Sequence, residues 1–435
     1  MSTAILIGML LITLFFGFRS RGGLLGLWVF VLMTHGMFVY FFGEGLRHLP
    51  MYMGFIVISL LVINGGNYQL SKGSLILVLS FLFTILISFL VNEGDASSIN
   101  KIIMYAKPML VCLVVAGYIK GFKDVDSIAF YIILAATIGS IFNIYQQVYG
   151  IQLSANEWDS SLSRAAGLRG DPNDTAMLLG MATPFVYFKY INGNKKNHKL
   201  FYGLCAALIV IGIVLTGSRA GFLVMAGIAG AIMIHKPKAS RLKIFNWPTP
   251  RNIMIIFVLL VMAVFLAPKY YWERMATLIS GEEMGASQSL YSRGYLLQKG
   301  FGIWLSNPII GVGPGKFHEA MYGDQVVKIE AKKQAVAHNM YIEFLAEFGI
   351  VGFIAFMGIV TLSIRRLLRL DKYLYRTSSY EHIGYMTALS LLSMLVFGFT
   401  LSQGYNSVMW FIIAIGISSG NWISAELRRR KHTIK

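Results

Sequence analysis

Apolar residues run through this chain in long stretches rather than alternating with polar ones. Stretches of this kind occupy 3–18, 23–42, 51–64, 74–91, 102–118, 127–148, 173–190, 200–216, 219–235, 252–267, 339–364, 382–402 and 406–424. A helix needs about 20 apolar residues to cross the hydrocarbon core of a bilayer. The pattern therefore predicts an all-α polytopic membrane protein with about 12–14 transmembrane helices, and Gly and Pro near several ends mark the turns. No internal repeat or terminal soluble domain interrupts it, so residues 1–435 read as a single integral membrane domain. Two polar loops are long. One covers 150–172; the other, 268–338, is a large loop with helical content of its own, because residues 290–304 carry apolar positions at helical spacing.

Composition agrees. Of 435 residues 56% are hydrophobic and 13% charged, against roughly 25% charged in a soluble chain, and the mean hydropathy is +0.63. The net charge of +18 raises the question of nucleic acid, and its distribution answers it. Lys and Arg gather in short runs between apolar segments, at 19–21, 195–199, 236–243, 365–369 and 428–431. Such spacing at alternate loops is the positive-inside signature of a membrane protein, and no nucleic acid is expected. With the basic runs inside, 13 spans put the N-terminus outside. Glu44, Glu93, Asp95, Glu157, Asp159 and Asp171 then fall outside, as do the loop 268–338 and the hairpin 216–221. Cys112 and Cys205 sit within apolar segments and read as packing residues.

Polar chemistry is concentrated at that outer face. Arg219 follows Ser218, a good N-cap, where a cation opposes the helix dipole; a helix start plus an Arg makes an anion site. The alternative is an Arg reaching to lipid phosphates. Arg293 lies on the loop helix, and Arg164 and Arg169 on the earlier loop. Outer loops are ordinarily poor in Arg, and a diphosphate substrate supplies a reason for four. Asp171-Pro172-Asn173-Asp174 reads first as an N-cap and a Pro at N1, the alternative being that Asp174 points into the cavity one turn further on. Residues 311–316, Gly-Val-Gly-Pro-Gly-Lys, fail the phosphate-loop template, since Phe317 replaces its Ser or Thr; they read as a tight turn that lets backbone approach a ligand or a neighbouring helix. His338 and Asn339, the latter a plausible cap, precede a span bearing Glu343 and Glu347. Intramembrane carboxylates are costly and usually functional. Their spacing puts both on one face with Asn339, which is expected to line a wet cavity. No metal-ligand pattern occurs, and no cofactor is expected.

Several of these pieces recur together. Leu215-Thr216-Gly217-Ser218-Arg219-Ala220-Gly221, Arg293, Trp304-Leu305-Ser306-Asn307-Pro308-Ile309-Ile310-Gly311-Val312-Gly313, Ala337-His338-Asn339-Met340-Tyr341 and Ala346-Glu347-Phe348-Gly349-Ile350-Val351-Gly352, with Gly170-Asp171-Pro172-Asn173-Asp174 before them, resemble the O-antigen ligase / O-antigen polymerase superfamily of bacterial inner-membrane glycosyltransferases. The resemblance covers about 165–365. It implies a GT-C-type architecture, an undecaprenyl-diphosphate-linked glycan donor, and inverting, metal-independent transfer on the periplasmic side. The acceptor it implies is a lipid-linked glycan or the lipid A core, which separate polymerase from ligase. Carried over, Arg219 and Arg293 hold the diphosphate and His338 sits at the acceptor, with Arg164, Arg169, Asp174, Asn339, Glu343 and Glu347 as substrate-binding positions. Twelve spans with both ends inside belong to the ligases, and the expected 13 depart from that. The competing class is a non-catalytic polysaccharide flippase or transporter. It calls for charged residues at mid-membrane in both halves, where only Lys107 and the two glutamates qualify.

Overall fold

The computed structural model describes residues 20–151, 165, 167, 170–193, 195–234, 272, 287–322, 337–374 and 382–433, and these are helical apart from turns and connections. In chain order the helices are α1 (Arg21–Phe42), α2 (Leu49–Ile63), α3 (Lys72–Val91), α4 (Ala96–Tyr118), α5 (Phe122–Tyr149), α6 (Pro172–Asn192), α7 (Lys196–Leu215), α8 (Arg219–Ile234), α9 (Ser287–Ser306), α10 (Phe317–Tyr322), α11 (Met340–Leu374), α12 (Ile383–Phe397) and α13 (Ser407–Thr433), with a 3-10 turn at Glu44–Leu46. Every apolar stretch that falls on described residues is a helix; those at 3–18 and 252–267 lie outside them. Among the described residues seven helices are long and apolar enough to cross a membrane, and Arg219–Ile232, Ile383–Phe397 and Ser407–Gly420 are shorter apolar helices. This is a polytopic membrane protein.

The chain divides into two compact units. One is built from the described parts of 1–57, 122–281 and 371–394, the other from those of 58–121, 282–370 and 395–435.

In the first unit α1 packs along α5, and α6 packs on α5, α7 and α8. Glycine permits the α1–α5 approach: a Cβ at Gly26 would overlap the Tyr131 ring. The Trp28 indole donates to the Pro50 carbonyl at 3.0 Å, a bond that a buried indole N–H needs in an apolar setting. Near the starts of α5 and the end of α6, Lys189 pairs with Asp126 at 2.6 Å.

The second unit is centred on an aromatic block, in which Phe81, Tyr105, Phe344, Phe348, Phe356 and Trp410 are all fully buried. Phe81 meets Tyr105, Phe344 and Phe348 edge to face, the arrangement that ring quadrupoles favour. The two ends of this unit differ in charge. At one end Arg366 donates to the Ser74 hydroxyl and to the Ile417 carbonyl, both at 2.8 Å. The carboxylates Glu343 and Glu347 lie at the other, Glu343 being some 35 Å of helix from Arg366 at 1.5 Å per residue.

Candidate functional site

In the first unit the candidate residues gather where α6 and α8 begin. The Asp171 carboxylate accepts from the N–H groups of Asn173, at 2.7 Å, and Asp174, at 3.1 Å, with Pro172 at the first helical position. That is the capping role read from the sequence. At the other helix start the Ser218 hydroxyl accepts from the Gly221 N–H and donates to the Asn173 side-chain oxygen at 3.0 Å. Gly217 turns the chain there with φ 58°, and the Thr216 hydroxyl takes the Ser218 N–H. Arg219 therefore emerges, half-buried, from a corner whose backbone is fixed on three sides. Asp174 lies in the adjoining first turn of α6. Arg164 and Arg169 lie outside the described residues.

A row of amides on α5 escaped the sequence reading. Asn143 donates to the Gly212 carbonyl at 3.1 Å. Gln146, one turn further on, is 2% exposed, and neither its oxygen nor its nitrogen has a partner.

In the second unit α11 is interrupted. Gly349 adopts φ 63° and ψ −169° inside what is otherwise a helix, a conformation close to Gly-only. The interruption frees backbone groups nine residues, or about 14 Å, into the helix. The segment between α9 and α10 takes them up. Ala346 and Glu347 carbonyls accept from the N–H groups of Val312 (2.9 Å) and Gly313 (3.1 Å), and the N–H groups of Ile350 and Val351 donate to Pro308 (2.8 Å) and Ile309 (3.3 Å). Unpaired backbone is prohibitive at membrane depth, and irregular backbone survives there only when protein satisfies it. Helix α3 completes the joint: the Ser88 hydroxyl also donates to the Glu347 carbonyl at 2.7 Å, and the Asn92 amide to the Gly311 carbonyl at 3.1 Å. Between the two possibilities left by the sequence for residues 311–316, the turn approaches a neighbouring helix.

Beside this joint lies a buried ionic cluster. Lys101 of α4 forms an ion pair and hydrogen bond with Glu343, and its ammonium is 3.9 Å from Glu347. The ammonium also faces the rings of Tyr105 at 5.8 Å and Tyr405 at 5.2 Å. Glu347 further accepts from the N–H groups of Gly315 and Phe317, and so holds the start of α10. Glu343 and Glu347 are 2% and 1% exposed. The face expected to line a wet cavity is instead packed against α4 and the 307–317 segment, because Lys101, distant in the chain, offers a charge partner. Lys107, noted from the sequence, is exposed on α4. One carboxylate oxygen of each glutamate and the Tyr105 hydroxyl make no hydrogen bond.

Asn339 caps α11, accepting from Tyr341 and Ile342 N–H groups at 3.0 Å and donating to the Phe399 carbonyl at 3.3 Å. Its neighbour His338 is exposed and held at φ 48°, a left-handed conformation uncommon for a non-glycine residue. Arg293 is half-buried on α9. Arg219 and Asp174 thus belong to one unit, and Arg293, His338, Asn339, Glu343 and Glu347 to the other. The structure brings Asn339, Glu343 and Glu347 together along one stretch of α11 and adds Lys101 to them.

Residues 204–357 match a family described as O-Antigen ligase. No curated protein matches the chain.

Proposed function

We propose, on the premise that this chain is a membrane glycosyltransferase of the O-antigen ligase family, that it moves or polymerises an undecaprenyl-diphosphate-linked glycan at the periplasmic face of the bacterial inner membrane. The observation that carries the reading is the reach of the family match. It runs from α7 through Ser218 and Arg219, across Arg293 and the 307–315 segment, and past His338, Glu343 and Glu347. A GT-C-type architecture belongs to the same reading.

The chemistry is an inverting displacement. An acceptor hydroxyl oxygen attacks the anomeric carbon, the bond from that carbon to the diphosphate oxygen breaks, and the undecaprenyl diphosphate leaves with the electron pair. Its growing negative charge calls for preorganised donors. Arg219, at a helix start whose N–H groups also favour anions, and Arg293 take that part, each with a fork suited to phosphate oxygens. His338, exposed beside the cap of α11, takes the acceptor proton as a neutral imidazole. The acceptor is a second lipid-linked glycan in a polymerase or the lipid A core in a ligase.

The test is transfer of labelled glycan from its lipid diphosphate by the full-length protein in nanodiscs. Label should pass to the acceptor with release of undecaprenyl diphosphate. Arg219→Ala should slow turnover about 100-fold, the scale of one lost preorganised donor, and Arg219→Lys should recover little of it. Absence of any transfer by the unaltered protein overturns the function. Near-full turnover in a folded Arg219→Ala protein overturns the role of Arg219.

A further inference from the structure

Helix α9 has three faces, and one is accounted for by packing. Leu296 and Ile303 lie on the small core formed with Phe317, Met321 and Ala337, and Gly300 lets Ile342 and Phe317 come close. Leu297, Phe301 and Leu305, four residues apart in turn, form an exposed apolar stripe. The third face is different in kind. Tyr295, Lys299, Gly302 and Ser306 follow one another at spacings of four, three and four, which aligns them along the helix. With Gln298 and Asn307 they wall a cleft of about 670 Å³, whose base is formed by Ile303, Val312 and Met321.

From this geometry we infer a glycan-binding cleft between α9 and α10, which holds a sugar segment of the lipid-linked substrate remote from the bond being broken. The inference rests on the transferase reading above. Its volume is within the roughly 300–1,000 Å³ of small-ligand sites. Its lining suits a sugar better than a lipid tail or a nucleotide. A sugar presents hydroxyls that both donate and accept, together with an apolar C–H face. The amides of Gln298 and Asn307 donate and accept in the same way, the Ser306 hydroxyl, which donates to the Gly302 carbonyl at 3.2 Å, accepts, and the Tyr295 ring and the apolar base meet the C–H face. The Lys299 ammonium lies 5.7 Å from the centre of the Tyr295 ring, a cation–π contact that poises a charged donor at the wall. A glycan with an acidic or phosphate substituent gains most from it.

Nothing in the site needs a substrate to hold it open. Tyr295, Gln298, Lys299, Gly302, Ser306 and Asn307 are exposed, so changing them leaves the core intact. A Cβ at Gly302 would meet nothing within 4 Å, so a side chain there starts into open space beside the cleft, and replacing the glycine improves helix propensity.

The experiment uses full-length protein in nanodiscs with two donors, the natural lipid-linked glycan and a lipid diphosphate bearing its first sugar only. Lys299→Ala and Gly302→Trp should each raise KM for the long donor about tenfold, the scale of one lost charge-assisted hydrogen bond, with kcat nearly unchanged. Neither should alter KM for the single-sugar donor. The lipid-free glycan released from the long donor should bind the unaltered protein and lose that binding in Gly302→Trp. Unchanged KM for the long donor in both variants overturns the cleft. An equal rise for both donors also overturns it, since the groups would then act on the diphosphate end. Should the unaltered protein transfer nothing, the transferase reading fails on its own, and binding of the lipid-free glycan still decides whether the cleft takes sugar.

Discussion

A side chain at position 349 has nowhere to go. A Cβ there would overlap the Ile309 backbone, which cannot yield because it is bonded to Val351. Gly349→Ala should therefore lose on the order of 3 kcal/mol or more, from a Gly-only conformation and an overpacked contact together. Thermal unfolding in detergent measures it, and an unchanged Tm contradicts it. Asp95, the N-cap of α4, gives a pH-dependent counterpart. Its carboxylate accepts from the Ser98 N–H at 2.9 Å and the Ser97 hydroxyl at 2.8 Å, and these bonds, the Ser98 backbone first, depress its pKa to about 2. A depressed carboxylate stabilises the fold above its ordinary value near 4 and loses that contribution as pH falls through about 2. Asp95→Ala should cost about 1 kcal/mol at neutral pH, and its Tm gap from the unaltered protein should narrow only below pH 4 or so. Residues of this local kind were legible in the sequence. Asp171, Ser218 and Asn339 read as caps because a cap needs only its own next few residues.

Contacts between elements were less legible. The sequence marks Glu343 and Glu347 as intramembrane carboxylates, and an apolar pattern has no way to announce the partner, which stands 242 positions away from Glu343 on α4. Lys101 ties α4 to α11, and its loss would leave two buried carboxylates uncompensated. Lys101→Met should destabilise by about 3–5 kcal/mol. Adding Glu343→Gln restores the cluster's original net charge and should recover most of that loss. A double variant no more stable than the single one would mean that Lys101 acts through packing of its stem instead. The break in α11 was hidden for a related reason. Glycine inside an apolar run costs about 1 kcal/mol and is tolerated, so 339–364 reads as one span until the backbone of 308–313 is seen lying against it.

For the molecule as a whole, hydrophobic length was enough to give the helices, since each span is decided by its own composition. The division into two units was not in the sequence, because it depends on which helices pair. On the proposed reading, transfer should proceed in excess EDTA, because that reading gives Arg219 and Arg293 the charge neutralisation that a metal gives elsewhere. Loss of activity in EDTA that Mg²⁺ restores would remove that role from the arginines.

The joint at Gly349 also bears on how the protein is made. Residues 308–313 precede α11 in the chain, yet they can only bond to it once both have reached their final depth. Until then the state of lowest cost for 340–370 in hydrocarbon is an unbroken helix, with every N–H paired internally. The break at Gly349 therefore depends on the 308–313 segment: without the Val312 and Gly313 N–H groups and the Pro308 and Ile309 carbonyls, the backbone groups it frees lose these partners.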